Sequence, residues 1–97
     1  MKKKSSSNDR SRRSTGNHYT ASIDLHGMRA DEAVVQVREF LLKHPNSSLL
    51  VIHGDGNGIL RNRIRHLLAN GKLPNRYFFP GEDIGAEGSY GVTAVFT

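Results

Sequence analysis

Two histidine–glycine pairs each stand between a short strand-like run and a segment of helical periodicity: Asp24-Leu25-His26-Gly27 and His53-Gly54-Asp55-Gly56-Asn57-Gly58. This repeated junction constrains the fold more than any other feature of the chain. If the two strands are parallel neighbours, both histidines arrive at one edge of the sheet. That edge is the crevice outside the carboxyl ends of the strands, where open α/β sheets place their ligands. A histidine titrates near neutral pH, and a glycine-rich loop ahead of a helix offers backbone N–H groups to an anion. The pairing points to a site that handles phosphate.

The pattern around the junctions predicts a complete small domain. Ser22 to Leu25 alternates polar and apolar residues, as a half-buried strand does. From Ala30 to Lys43, the residues Ala30, Ala33, Val34, Val37, Phe40 and Leu41 share one helical face. Asp31 and Glu32 suit the positive start of that helix, Lys43 suits its end, and Pro45-Asn46 stops it. Val35 and Leu42 fall on its opposite, otherwise polar face. Leu49-Leu50-Val51-Ile52 is a continuous apolar run, the pattern of a strand covered on both sides. A second helix runs from about Ile59 to Asn70, with Leu60, Ile64, Leu67 and Leu68 inward and Gly71 as its end signal. Arg76 to Phe79 reads as a third strand, Pro80 to Gly88 as a polar acidic loop, and Tyr90 to Phe96 as an alternating fourth strand. The rings of Tyr77, Phe78 and Phe79 could stack on bases, but a strand facing two helices is apolar anyway and they are read as core. The order is βαβαββ, which predicts an α/β fold: a compact two-layer sandwich with a four-stranded mixed sheet and two helices. Right-handed crossovers place both helices on one face.

Charge is unevenly placed. The formal net charge is +5, and Lys2, Lys3, Lys4, Arg10, Arg12 and Arg13 against Asp9 account for all of it. From Ser14 onward eight basic residues meet eight acidic ones, so the folded part is formally neutral. Residues 1–20 therefore read as a disordered basic tail or linker and 21–97 as the domain. The tail could hold nucleic acid through nonspecific phosphate contacts, or serve only as a solubilising segment. There are no cysteines, which excludes disulfides and thiolate metal sites and fits a reducing, cytoplasmic setting. No apolar run approaches the roughly 20 residues of a membrane span. The early lysines lead into Ser5-Ser6-Ser7-Asn8 and not into the apolar stretch of a secretory signal.

The candidate chemistry gathers at the junctions. Asp24 and His26 are two apart on a strand, so their side chains leave the same face. A carboxylate beside an imidazole fixes its tautomer and raises its basicity, with water or a substrate hydroxyl as the nucleophile. The alternative is structural: Asp24 caps the following turn and His26 bonds the backbone. The loop from Gly54 to Gly58 lacks the lysine and hydroxyl of a Walker A loop, and its alternating glycines are not the dinucleotide fingerprint. They do permit positive φ and close backbone approach, and Arg61 in the next turn could add a bidentate fork to a phosphate. Asp55 cuts against this, because a carboxylate in the loop repels the same anion. Asp24, His26, His53 and Asp55 could together hold a divalent metal, although no compact zinc spacing is present and an acid–base site needs the same residues. His18 falls in the tail, and His44 and His66 read as solvent-facing.

Ile23-Asp24-Leu25-His26-Gly27 with Glu32-Ala33, then His53-Gly54-x-Gly56-x-Gly58-x-Leu60-Arg61, resemble the two signatures of the Smr (small MutS-related) domain. The closing Gly88-x-x-Gly91-Val92-Thr93 is similar to that family's final strand, so the resemblance spans Ser22 to Thr97. It implies a βαβαββ sandwich that occurs alone or at the C-terminus of larger MutS-like ATPases, which makes an excised fragment as plausible as a complete protein. It implies nicking of DNA or cleavage of RNA, with links to recombination, repair and ribosome rescue. Carried over residue by residue, Asp24 and His26 become the catalytic candidates. His53, Gly54, Gly56, Gly58 and Arg61 become the phosphate-binding loop. Nucleic acid, and through it the ribosome, is the implied partner. The rival expectation is a module that docks on nucleic acid or ribosomes without cutting, which the neutral folded part favours.

Overall fold

A computed structural model describes residues 19–54 and 56–97. The basic tail up to residue 18 and Asp55 lie outside the described residues, and with them the expectations of tail disorder and of repulsion by the loop carboxylate. The elements follow the predicted order with two additions. They are β1 (Ala21–Asp24), α1 (Ala30–Lys43), β2 (Ser48–Ile52), α2 (Ile59–Ala69), β3 (Tyr77–Pro80), a short α3 (Gly81–Ile84), a 3₁₀ turn (Ser89–Gly91) and β4 (Val92–Phe96).

The strands form one four-stranded sheet in the order β1-β2-β4-β3. β1 and β2 are parallel neighbours with Asp24 opposite Ile52, and β4 runs antiparallel between β2 and β3. Parallel strands need a crossover, and α1 supplies it. α2 carries the chain over to β3 and leaves a slot that the returning β4 fills. The carboxyl ends of β1, β2 and β3 thus share one edge of the sheet.

Both long helices pack on one face. Ala33, Val37 and Leu41 of α1 and Ile64 and Leu68 of α2 form one cluster with Leu49, Val51, Val95, Leu25 and Leu73, all buried. Leu60, Leu67, Val34 and Phe40 border it, and Val35 and Leu42 are exposed, as the helical spacing requires. Gly71, at φ +81, ends α2 in the left-handed conformation that glycine adopts without strain.

Four expectations need correction. β2 is not covered on both faces: Leu49 and Val51 are buried under the helices, whereas Leu50 and Ile52 on the other side are only half-buried. The apolar run reflects β2's central place between β1 and β4 and not a second helical layer. The aromatic trio divides, because strand alternation sends Phe78 toward the core and leaves Tyr77 and Phe79 exposed on the opposite face. The acidic loop contains α3 and the 3₁₀ turn, both too short to show periodicity, and Tyr90 belongs to that turn and not to β4. His44 is half-buried, its Nδ1 2.9 Å from the Phe40 carbonyl and its ring 4.8 Å from the Phe40 ring.

Candidate functional site at the carboxyl edge of the sheet

The first junction is a tight turn. The Met28 N–H donates to the Leu25 carbonyl at 3.0 Å, and Gly27 takes φ +82 at the third position, where a type II turn demands it. His26 sits at the exposed corner of that turn. β1 ends at Asp24, one residue earlier than the alternation suggests, and this changes the role of the carboxylate. Asp24 Oδ1 accepts the backbone N–H of His26 at 2.9 Å. The carboxylate therefore caps the turn, and among the described residues its contact with His26 is to the main chain and not to the ring. The contact observed is that of the structural alternative, the carboxylate capping the turn, and not that of the sequence-predicted carboxylate–imidazole pair.

The second junction is held more firmly. The N–H groups of His53 and Gly54 both donate at 2.9 Å to one acceptor, the Gly91 carbonyl. Gly54 and Gly58 have φ of +80 and +82. Asn57 Oδ1 accepts the Ile59 N–H at 3.1 Å, and the first α2 bond runs from the Asn62 N–H to the Gly58 carbonyl. Among the described residues the N–H groups of Leu60 and Arg61, in the first turn of α2, have no acceptor, and the positive end of the helix dipole lies there. The Arg61 guanidinium lies so close over Gly58 that a Cβ there would be 2.5 Å from Nη2.

His53 is not the phosphate contact that the sequence suggests. Its ring is 4% exposed and both nitrogens are engaged. The Arg65 Nε–H donates to Thr93 Oγ1 at 2.9 Å, which leaves the Thr93 hydroxyl proton for His53 Nε2 at 2.8 Å. His53 Nδ1 then carries the proton and donates it to the Gly54 carbonyl at 2.9 Å. Arg65 is itself fixed by a bidentate pair with Glu82, both contacts 2.8 Å, and by the Val92 carbonyl at 3.0 Å. Burial, above all, pushes the His53 pKa down, and the charges of Arg65 and Arg61 act in the same direction against the Gly54 hydrogen bond and Glu82. The hydrogen bonds from Arg65 hold the Glu82 carboxyl below its ordinary range. His53 is thus a neutral, single-tautomer strut that shapes the glycine loop. With no free nitrogen it is also a poor metal ligand, and among the described residues no three His, Cys, Asp or Glu side chains gather as a metal-binding set.

Between the junctions lies a cleft of about 410 Å³, within the range of small-molecule sites. From the first junction it is lined by His26, Gly27 and Arg29, and from the second by Gly54, Gly56, Asn57 and Gly58, with His53 behind them. The parallel pairing of β1 with β2 is what brings the two histidine–glycine pairs together. Arg29, unnoticed in the sequence, adds a cation at the rim, shared with Asp31 at 3.1 Å; the hydrogen bond to Arg29 lowers the Asp31 pKa. Thr93, Arg65 and Glu82 were also missed as supports. The signal for them was Thr93 in an otherwise apolar strand and an arginine spaced for the core side of α2.

Fold and edge cleft together define a small α/β domain with two crossover junctions and a glycine loop at the carboxyl edge of its sheet. The Smr domain family model matches residues 23–96, and the chain belongs to that family. Its fold resembles the crystal structure of the Smr domain of Thermus thermophilus MutS2, with a TM-score of 0.63 and 33% identity, covering 79% of this chain and 96% of that one. Among curated relatives, Endonuclease MutS2 of Caldicellulosiruptor bescii is 36% identical over 77 residues, covering 76% of this chain and 9% of that protein. Endonuclease MutS2 of Bacillus velezensis is 36% identical over 83 residues, covering 80% and 10%. The chain therefore spans about a tenth of the length of these relatives. Among the described residues no helix is long and apolar enough to cross a membrane.

Proposed function

We propose that the chain is a nucleic-acid endonuclease module that cuts a phosphodiester bond of DNA or RNA at the cleft between its two histidine–glycine junctions. The observation that carries this reading is the meeting of an exposed imidazole, His26, with an anion-ready helix start in one cleft. His26 acts as the general base toward water or a substrate 2′-hydroxyl. Asp24 acts through the main chain by holding the corner that presents His26. Gly54, Gly56 and Gly58 let the backbone approach the phosphate, and Arg61 with the Leu60 and Arg61 N–H groups binds it. His53 serves this loop from behind. A divalent ion, if the reaction uses one, would be held by Asp24, His26 and the phosphate itself, with His53 excluded by its hydrogen bonds. The basic tail adds salt-dependent, sequence-independent affinity. The endonuclease name of the MutS2 relatives supports the chemistry. Residence in the cytoplasm, a place in recombination, repair or ribosome rescue, and membership of a larger MutS-like ATPase belong to the same proposal.

A second reading has its own support. The Asp24 carboxylate is spent on a backbone N–H and the folded part is formally neutral, which suits a module that docks on nucleic acid or ribosomes without cutting. One experiment separates the two. The purified chain is incubated with labelled supercoiled DNA and with structured RNA, with and without chelator. Nicks or fragments that disappear in the His26→Ala variant support the nuclease. Binding without cleavage on either substrate supports the docking module.

A further inference from the structure

The sheet face opposite the helices carries a group of aromatic rings that neither the fold nor the cleft uses. By register, Tyr77 and Phe79 of β3 lie on this face with Phe96 and Ala94 of β4 and Leu50 and Ile52 of β2. Tyr77 is 46% exposed and Phe79 41%. The rings are already ordered: Tyr77 stacks on Phe96 at 5.0 Å, and Phe79 meets Tyr77 and Phe96 edge-on at 5.6 and 5.9 Å. The Arg76 guanidinium lies 5.4 Å from the Tyr77 ring centre and is tethered through Nε to the Thr97 carbonyl at 2.9 Å.

We infer that this face is a stacking platform for the unpaired bases of a single-stranded nucleic acid. The inference rests on the nucleic-acid reading above and names the form of the substrate. Charge placement argues for this occupant. Thr20 enters the sheet at the same end as the rings, and Lys2, Lys3, Lys4, Arg10, Arg12 and Arg13 precede it in the sequence. The Thr20 N–H donates to the Ser48 carbonyl, Ser48 is in register with Phe96, and Phe96 with Tyr77. Arg76 adds a fixed cation over the Tyr77 ring. Rings with a fixed cation against them suit a polyanion with flat apolar faces, and single strands bind through this combination. Asp24, which shares this face by register, lies at the carboxyl end of β1, away from the Tyr77–Phe96 pair. A duplex keeps its bases stacked on one another and offers no ring faces, so the platform selects single strands.

The test measures fluorescence anisotropy of a labelled oligothymidylate and of a duplex of equal length, with the full chain and with a Tyr77→Thr/Phe79→Thr variant. Threonine keeps strand propensity while removing the rings, and circular dichroism confirms the fold. Each lost base contact should weaken single-strand binding roughly 5- to 150-fold, with duplex affinity unchanged. Equal single-strand affinity in the folded variant would overturn the platform and leave the nuclease reading standing, as would a wild-type chain that binds only duplex. A wild-type chain that binds neither overturns both. If sedimentation shows a dimer that the variant dissolves, the face is a self-association surface and the platform is refuted.

Discussion

The strongest structural commitment at the site is the chain of donors from Arg65 through Thr93 to His53, and Thr93→Val tests it with almost no change of shape. Thr93 is fully buried, and valine replaces only its hydroxyl. Two groups lose a partner: Nε2 of the buried His53 and the Arg65 Nε–H. A buried acceptor left unpaired costs about 1–3 kcal/mol. Arg65 keeps Glu82 and the Val92 carbonyl and has a side chain 16% exposed, so its loss adds less. A total of about 2–3 kcal/mol is expected, which at roughly 4–8 °C per kcal/mol lowers the Tm of a domain this size by about 10–20 °C. Urea unfolding of both proteins gives the free energy, and nitrogen chemical shifts of the histidine rings give the tautomer. The wild-type His53 should carry its proton on Nδ1. In the variant, loss of a hydrogen bond that favours the neutral ring should raise the His53 pKa. A stability change under about 0.5 kcal/mol, the scatter of ordinary surface substitutions, or a wild-type ring protonated on Nε2, would refute the donor chain.

Other expectations follow from the same geometry. The folded pKa of His53 is depressed, so below its unfolded value the unfolded chain binds the proton more readily. Stability should therefore be full above about pH 6.5, the ordinary histidine value, and fall as pH drops from there toward the folded pKa; Tm measured between neutral and mildly acid pH should show this slope, and a flat profile would count against the burial argument. Gly81→Ala should unfold or severely destabilise the domain, because its Cβ would press on the Ser89 carbonyl and stand 2.8 Å from the Val92 carbonyl, both main-chain atoms. Gly85→Ala, with open space but φ +66, should cost only about 1–2 kcal/mol in urea unfolding. Arg61→Ala should weaken nucleic-acid binding in a titration while changing the cleavage step less, since its charge contacts phosphate and not the reacting proton.

Much of this architecture was legible because periodicity is a local property. The helical face from Ala33 to Leu41 and the stop at Pro45 are both matched by α1, and the two histidine–glycine junctions announced a parallel pair that the β1–β2 register bears out. What escaped was set by distant partners. His53 looks like a ligand until Thr93 is placed beside it by the β2–β4 register, and nothing near either residue in the sequence announces that pairing. Arg65 flanks the apolar stripe of α2, and its role shows only when Glu82 on α3 closes on it. Asp24 illustrates a different limit: an aspartate just ahead of a turn can serve the turn or the neighbouring ring, and only the end of β1 decides. Tyr77 and Phe79 were assigned to the core because the number of layers on the sheet is not written in one strand.

The proposal stands or falls on His26. Under single-turnover conditions, the wild-type chain and His26→Ala should be compared on whichever substrate the wild type cuts, with affinity for an uncleavable analogue measured in parallel. Loss of a general base should slow cleavage by about 10²–10⁴-fold, while affinity stays near the wild-type value and Tm is unchanged, because His26 is exposed at the turn corner. Cleavage by His26→Ala at the wild-type rate would contradict the account and move the chain to the docking reading.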